Sequence, residues 1–221
     1  MPHFKADSNV GIVYCQSYRY NSNNEITGNW KCWTDDLDNV SFSEPFKMEG
    51  VKYIRQYLLF KNTIPNASAV LFRKNLYQEI ADADVKVDTC SDWLTRLKIL
   101  SISNIVYIPA ILNYFRYHEK SVIATLNNSE NVFITRFRRI MREKLHKYFK
   151  SNIVIKNDYK DIYYQNWNFL IKEYEREGLF EIQRNSLLTG WSHILNAAFS
   201  KGVKVEIILR AIKKKLSVSP A

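Results

Sequence analysis

The segment Val10-Gly-Ile-Val-Tyr-Cys-Gln-Ser-Tyr-Arg-Tyr20 begins with apolar residues and then alternates apolar and polar side chains. This pattern is typical of a strand that enters a sheet and emerges with one face exposed. The polar cluster at residues 21–24 predicts a turn, and residues 25–30 are expected to return as the second strand of a hairpin. The amino-terminal part of the chain is therefore expected to contain a sheet.

Helices and further strands are predicted downstream of the hairpin. Ile54, Tyr57 and Leu58 have helical spacing, and Ser91 is a suitable N-cap residue. Residues 30–45 and 62–66 have the composition of loops, and residues 67–72 form an apolar run. The predicted elements are helices at 51–60, from about Lys74 and at 92–101, and two short strands at 105–108 and 111–117, separated by Pro109.

The composition changes between residues 121 and 130. Residues 1–120 carry 14 basic and 13 acidic side chains, whereas residues 121–221 carry 18 basic and 9 acidic ones, so nearly all of the net charge of +10 lies in the second part. This part is predicted to be helical at 129–150, 158–178 and 180–199, with a basic amphipathic helix at 203–216. We expect two regions, 1–122 and 123–221.

Four segments of the first region are similar in order and spacing to family-2 glycosyltransferases. They are NVGIVYCQSYRYNSNNEITGNW, NTIPNASAVLFRK, SDWLTRLKIL and YIPAILNYFRYHEKSV, and the resemblance covers about residues 9–122. It implies an α/β fold: a partial GT-A-type mixed sheet with flanking helices, followed by a mainly helical carboxyl-terminal region. It also implies an inverting transfer of a sugar from a nucleotide sugar to a saccharide or lipid-linked acceptor, in cell-surface polysaccharide synthesis.

The resemblance assigns a catalytic role to Asp92. Members of the family carry an acidic pair at the start of a helix, and the matching pair here is Ser91-Asp92. An inverting transfer requires a carboxylate that removes the proton of the acceptor hydroxyl, and a helix amino terminus favours a negative charge. Asp92 is therefore the expected base. The alternative is that Asp92 only begins the helix.

The resemblance also implies contacts to diphosphate and metal after the last strand. Arg116 matches a position where the guanidinium would pair with phosphate, and His118 matches a histidine near the diphosphate that completes a divalent metal site. Manganese or magnesium is the expected cofactor. The alternative for His118 is an ordinary surface or core histidine.

Three further residues match the sugar and acceptor pocket of the family. Asn66 and Ser68 lie in a loop with small neighbours and offer hydrogen-bonding groups, and Trp93 follows the expected base. The alternatives are an ordinary loop that enters a core strand and a buried core tryptophan.

The front of the family's domain is not recognised in this sequence. The nucleotide-binding unit and its Asp-x-Asp motif should precede Val10, where nine residues stand. The triplets Asp36-Leu-Asp38 and Asp82-Ala-Asp84 occur elsewhere and are interpreted as loop acids. The chain is therefore expected to be catalytically incomplete. The alternative function is an inactive binding or assembly module that contacts glycan, membrane or a partner protein.

Composition limits the compartment and the partners. No apolar stretch reaches about 18 residues and the amino terminus has no apolar signal region, so a cytoplasmic protein is expected. The basic helices suggest peripheral binding to the anionic inner leaflet, with ordinary packing as the alternative. A nucleic-acid partner is not expected, because the sequence has no helix-turn-helix, zinc-finger or RNP-like signature. Three widely spaced cysteines are expected to be reduced thiols.

Overall fold

The computed structural model describes residues 2–81, 91–116, 132–152, 159–184 and 186–200, together with residues 208, 212 and 213. The chain divides into two compact units, Met1–Thr125 and Leu126–Ala221. The first unit combines strands and helices, and the described part of the second unit is helical. The predicted α/β class is therefore confirmed at this coarse level.

The first unit contains strands β1 to β5 and helices α1 to α5. The strands are β1 (Val10–Tyr20), β2 (Ile26–Asn29), β3 (Phe46–Glu49), β4 (Val70–Phe72) and β5 (Asn104–Arg116). The helices are α1 (Pro2–Ala6), α2 (Asp35–Asp38), α3 (Gly50–Tyr53), α4 (Lys74–Ala81) and α5 (Ser91–Leu100). The π-helical segment Ile54–Leu58 continues α3, and short 3₁₀ turns lie at Lys31–Thr34, Ser41–Ser43 and Ala67–Ala69.

The sheet is mixed, with the order β2-β1-β5-β3, and β4 pairs with β1. β1 and β5 are parallel, whereas β2 and β4 are antiparallel to β1 and β3 is antiparallel to β5. The predicted hairpin is present as β1 and β2. The parallel pair occupies the centre of the sheet, so side chains that are distant in sequence become neighbours there.

The prediction of two strands separated by Pro109 is wrong, because β5 is a single strand. Its register against β1 shifts at this point: Cys15 pairs with Ile108 and Gln16 pairs with Ile111. Pro109 therefore lies in a bulge, where its missing N–H leaves no ladder hydrogen bond unmade.

The first unit is packed on both faces of the sheet. On one face, the rings of Tyr14 and Tyr107 lie 4.8 Å apart and contact aromatic residues of the helices, among them Tyr53. On the other face, Val10, Val13 and Val106 form a buried cluster. Gly50 begins α3 where a Cβ atom would lie 2.0 Å from the Ser103 carbonyl oxygen, so only glycine allows this approach of backbone to backbone.

The described part of the second unit contains α6 (Val132–Asn152), α7 (Lys160–Gln183) and α8 (Leu187–Ser200). The predicted end of the second of these helices at residue 178 is wrong, because α7 continues through Gly178 and ends at Gln183. The buried core of the second unit contains Ile171, Ile182, Ile194 and Ala197. Most of the basic helix predicted at 203–216 lies outside the described residues.

Among the described helices, none is both long and apolar enough to cross a membrane. Cys15 and Cys32 are free thiols.

Candidate functional site

Four polar side chains meet near the carboxyl-terminal half of the parallel strand pair. We call Ser17, Asn66, Ser68 and Asn113 the amide–hydroxyl cluster. The Asn66 amide donates to Ser17 Oγ at 2.9 Å, and the Asn113 amide lies 3.0 Å from both Ser17 Oγ and Ser68 Oγ. Ser68 Oγ in turn donates to Asn66 Oδ1 at 3.0 Å. Neutral donors and acceptors therefore surround one point of the sheet.

Local structure fixes Asn66 at the centre of the amide–hydroxyl cluster. Asn66 is the N-cap of the 3₁₀ turn Ala67–Ala69, and its Oδ1 accepts the Ala69 N–H at 3.0 Å. Because the side chain is 4 % exposed, a single rotamer is held by these contacts. Asn66 and Ser68, the two predicted loop residues, are thus brought together.

The two strand residues of the cluster are not among the site residues predicted from the sequence. Ser17 and Asn113 are directly paired in the parallel ladder of β1 and β5. Each is an ordinary polar residue of a strand in the sequence, and only the register of the two strands places them together. Ser17 and Asn113 could have been found only if the adjacent, parallel pairing of β1 and β5 had been predicted.

Asp92 lies in the first turn of α5, as predicted. Its Oδ2 is 2.9 Å from Arg96 Nη1 and 3.5 Å from the Asn62 side-chain nitrogen. The Asp92 side chain is 38 % exposed, whereas that of Arg96 is fully buried. The carboxylate therefore reaches solvent while its Oδ2 is held by the buried Arg96.

Arg96 links Asp92 to the loop that leads to the amide–hydroxyl cluster. Its Nη1 donates to Asn62 Oδ1 at 2.9 Å and to the Ile64 carbonyl at 2.6 Å. Burial lowers the pKa of Arg96 from its ordinary value, and the charge of Asp92 opposes this change. Since Asn62 and Asn66 belong to the same loop, Arg96 fixes the loop on which the cluster depends.

A cluster of aromatic side chains also contacts the loop at Asn62. The Trp33 indole N–H donates to the Asn62 carbonyl at 2.7 Å, and Lys61 Nζ lies 4.2 Å from the centre of a Trp33 ring. Trp30 contacts both Trp33 and Phe115 edge to face. This group adds apolar surface next to the loop, of the kind that ligand sites combine with a few polar groups.

Trp93 occupies a buried position. It is 6 % exposed, and its indole N–H donates to the Leu58 carbonyl at 2.8 Å. This is the arrangement of a core tryptophan, which was the alternative interpretation. A role of Trp93 as a pocket wall stays a prediction.

The structure does not bring Arg116 to Asp92 in any described contact. Arg116 Nη2 donates to Asn24 Oδ1 at 2.6 Å, in the turn between β1 and β2. Arg116 is three residues from Asn113 in β5, so the alternation of a strand places the two side chains on opposite faces of the sheet. His118 lies outside the described residues.

Within the described residues, no group of three histidine, cysteine, aspartate or glutamate side chains is arranged to hold a metal ion. The Asp92 carboxylate forms an ion pair with Arg96, and the positive charge of Arg96 disfavours a metal cation at the same carboxylate. The manganese or magnesium ion that the resemblance implies stays a prediction, because its expected ligand His118 lies outside the described residues.

The first acidic triplet is used in local structure. Asp38 accepts hydrogen bonds from the Ser41 N–H at 2.9 Å and from the Tyr57 hydroxyl at 2.8 Å, and Asp36 pairs with Lys61. The bonds from Ser41 and Tyr57 lower the pKa of Asp38 to about 2. Residues 82–84, the second triplet, lie outside the described residues.

Comparisons with known proteins found none that is similar to this chain. No protein-family model, no curated protein and no solved structure matches the chain.

Proposed function

We propose that this chain acts in the inverting transfer of a sugar from a nucleotide sugar to a hydroxyl group of a saccharide or lipid-linked acceptor. The sheet of the first unit is then part of a GT-A-type domain. The product class is cell-surface polysaccharide, made on the cytoplasmic side. The excess positive charge of residues 121–221 supports attachment to the anionic inner leaflet.

The observation that carries the proposal is that Asp92 and the amide–hydroxyl cluster are connected by the same loop, residues 62–66. Asn62 contacts Asp92 and Arg96, and Asn66, four residues later, is the centre of the cluster. Amide and hydroxyl groups can both donate to and accept from the hydroxyls of a sugar. A partly exposed carboxylate at the same loop is the group that such a reaction requires.

In the proposed reaction, Asp92 removes the proton of the acceptor hydroxyl while its oxygen attacks the anomeric carbon of the donor. The bond from this carbon to the diphosphate breaks, and the nucleoside diphosphate leaves with the bonding electrons. The cluster around Asn66 orients the acceptor. Arg96 holds Asp92 Oδ2 in place at 2.9 Å. A divalent ion held by His118 would neutralise the charge of the leaving diphosphate, and Arg116 stays a proposed contact to its phosphate groups.

A second candidate function is a saccharide-binding module without turnover. It is favoured by the ion pair of Asp92 with a fully buried arginine. A carboxylate that neutralises a buried cation has a structural role, and protonating it during a reaction would leave the arginine charge without its counter-ion. In this case the cluster binds glycan, and the chain assembles with a partner that performs the chemistry.

The first experiment measures binding and transfer by the purified chain. Calorimetric titration with UDP and with GDP, each with manganese, tests the donor side, and transfer from radiolabelled nucleotide sugars to oligosaccharide acceptors tests the reaction. We expect Asp92→Asn to lower the transfer rate by about 100-fold or more. Asp35→Asn is the matched control, since Asp35 is exposed in α2.

The outcomes separate the two candidates. Transfer that persists in Asp92→Asn removes Asp92 from the role of base. Saccharide binding that Asn66→Ala weakens, in a folded chain that binds neither UDP nor GDP, supports the binding module and contradicts the transferase. Circular dichroism of each variant separates a lost function from a lost fold.

A further inference from the structure

A groove lies between the three described helices of the second unit. Its volume is about 430 Å³, within the range of small-molecule sites. Glu143, His146 and Lys147 of α6, Trp167 and Tyr174 of α7, and Asn196 of α8 contribute to its lining. None of these residues belongs to the candidate site of the first unit.

Stacked rings form one wall of the groove. The His146 ring lies 4.2 Å from the Tyr163 ring and 4.5 Å from the Trp167 ring, and both pairs are close to parallel. Burial and the charge of Lys150 lower the pKa of His146, which favours the neutral imidazole. The wall is therefore rigid, uncharged and aromatic, which reduces the entropy that a ligand must overcome.

Polar groups of three kinds also line the groove. Glu143 is held by Arg139 Nη1 at 2.7 Å and by the Tyr174 hydroxyl, so its carboxylate is a fixed acceptor. Asn196 is exposed and offers an amide, and Lys147 is exposed and offers an ammonium group. Donors and acceptors thus stand on more than one side of the groove.

This combination selects the chemistry of the ligand. An aliphatic chain would remove the carboxylate and the ammonium group from water without replacing their hydrogen bonds. A small anion would meet the Glu143 carboxylate, and a bare divalent cation would find one carboxylate beside Lys147. A ring with several hydroxyls satisfies both donors and acceptors, and its apolar C–H groups can pack on the aromatic wall.

We propose that this groove binds one neutral sugar residue, with the ring against the aromatic wall formed by His146 and Trp167 and the hydroxyls bonded to Glu143 and Asn196. The site lies in the second unit and does not depend on the function proposed for Asp92 and Asn66. A chain with both sites holds glycan at two places, whether or not it transfers a sugar.

The test is a titration followed in ¹H–¹⁵N spectra by the indole N–H signal of Trp167, which a Trp167→Phe spectrum assigns. The probes are glucose, galactose and N-acetylglucosamine, each added to about 50 mM, because a single sugar residue is expected to bind with a millimolar Kd. Glucuronate is the charged comparison. We expect a saturable shift with at least one neutral sugar and weaker binding of glucuronate, because its carboxylate faces Glu143.

Two asparagine variants test the polar contacts of the site without changing the stacked rings. Asn196→Ala should raise the Kd about three- to tenfold through the loss of a hydrogen bond. Asn168→Ala is the control, because Asn168 is exposed on α7 next to Trp167. Absence of a saturable shift with all three neutral sugars, tighter binding of glucuronate, or equal weakening by both variants would overturn the proposal.

Discussion

Arg96 is among the largest fully buried side chains in the described part of the molecule. Its Nη1 serves Asp92, Asn62 and the Ile64 carbonyl, whereas its Nε and Nη2 have no hydrogen-bond partner within the described residues. A buried cation of this kind is costly unless it is paired, so we infer that it positions other groups. Those groups are the loop carbonyl and the candidate base.

We predict that Arg96→Ala destabilises the chain by about 2–4 kcal/mol, because it leaves a cavity and removes the partner of three acceptors. Urea denaturation followed by tryptophan fluorescence measures the free energy of unfolding. Arg116→Ala is the control, with an expected change within about 0.5 kcal/mol, since Arg116 is exposed. Equal stability of Arg96→Ala and the native chain would contradict the anchoring role of Arg96.

At the same scale, the sequence predicts part of the candidate site. Asn66, Ser68 and Asp92 are recognisable from local motifs, because a loop with small residues and a helix start are local features. Ser17 and Asn113 are not recognisable, because their proximity depends on the register of two strands that are far apart in the chain. The contact of Arg96 with Ile64 is likewise set by tertiary packing.

At the scale of elements, the crossing of α7 and α8 depends on two glycines. A Cβ atom on Gly178 would lie 2.8 Å from the Gly190 carbonyl oxygen, and one on Gly190 would lie 2.8 Å from the Ile182 nitrogen. Both obstacles are backbone atoms, which cannot move aside as a flexible side chain does. The absence of side chains at these positions therefore sets the distance between the helices.

We predict that Gly178→Ala lowers the free energy of unfolding by about 1–3 kcal/mol, although alanine favours a helix more than glycine does. The overlap with Gly190 must separate the helices and loosen the packing of Ile194. Thermal unfolding followed by circular dichroism at 222 nm measures the effect. Ser192→Ala, at an exposed position of α8, is the control and should be neutral or slightly stabilising. An increase in stability in Gly178→Ala would show that the helices are not in close contact.

These elements also show where local patterns mislead. The sequence pattern predicts that a helix ends at Gly178. In the structure it lies inside α7 and serves packing. Pro109 was expected to separate two strands, yet a bulge accommodates it within β5. In both cases a tertiary contact decides which of two local interpretations is realised.

At the scale of the whole molecule, each unit has a buried core of its own. Val10, Val13 and Val106 belong to the first core, and Ile171 and Ile194 belong to the second. The change in charge between residues 121 and 130 predicted a division at 122/123, and the units divide between Thr125 and Leu126. The α/β class is thus accessible from composition and periodicity, whereas sheet order is not.

We predict that residues 126–221 fold when they are expressed without residues 1–125, because apolar burial within a unit is the main source of its stability. Circular dichroism should show a helical spectrum with a cooperative thermal transition. A helical spectrum without a cooperative transition, as in a molten globule, would contradict the prediction.

The parallel pairing of β1 and β5 also affects the synthesis of the protein. Val10 pairs with Asn104 and Tyr20 pairs with Arg116, so the central ladder cannot close until the ribosome has released both strands. The apolar first half of β1 therefore stays unpaired with β5 during most of the translation of the first unit. In contrast, α7 and α8 are consecutive in the chain, so they can contact each other soon after they emerge. A cell that makes this protein therefore has its main opportunity for chaperone binding to the nascent chain before residue 116 leaves the ribosome.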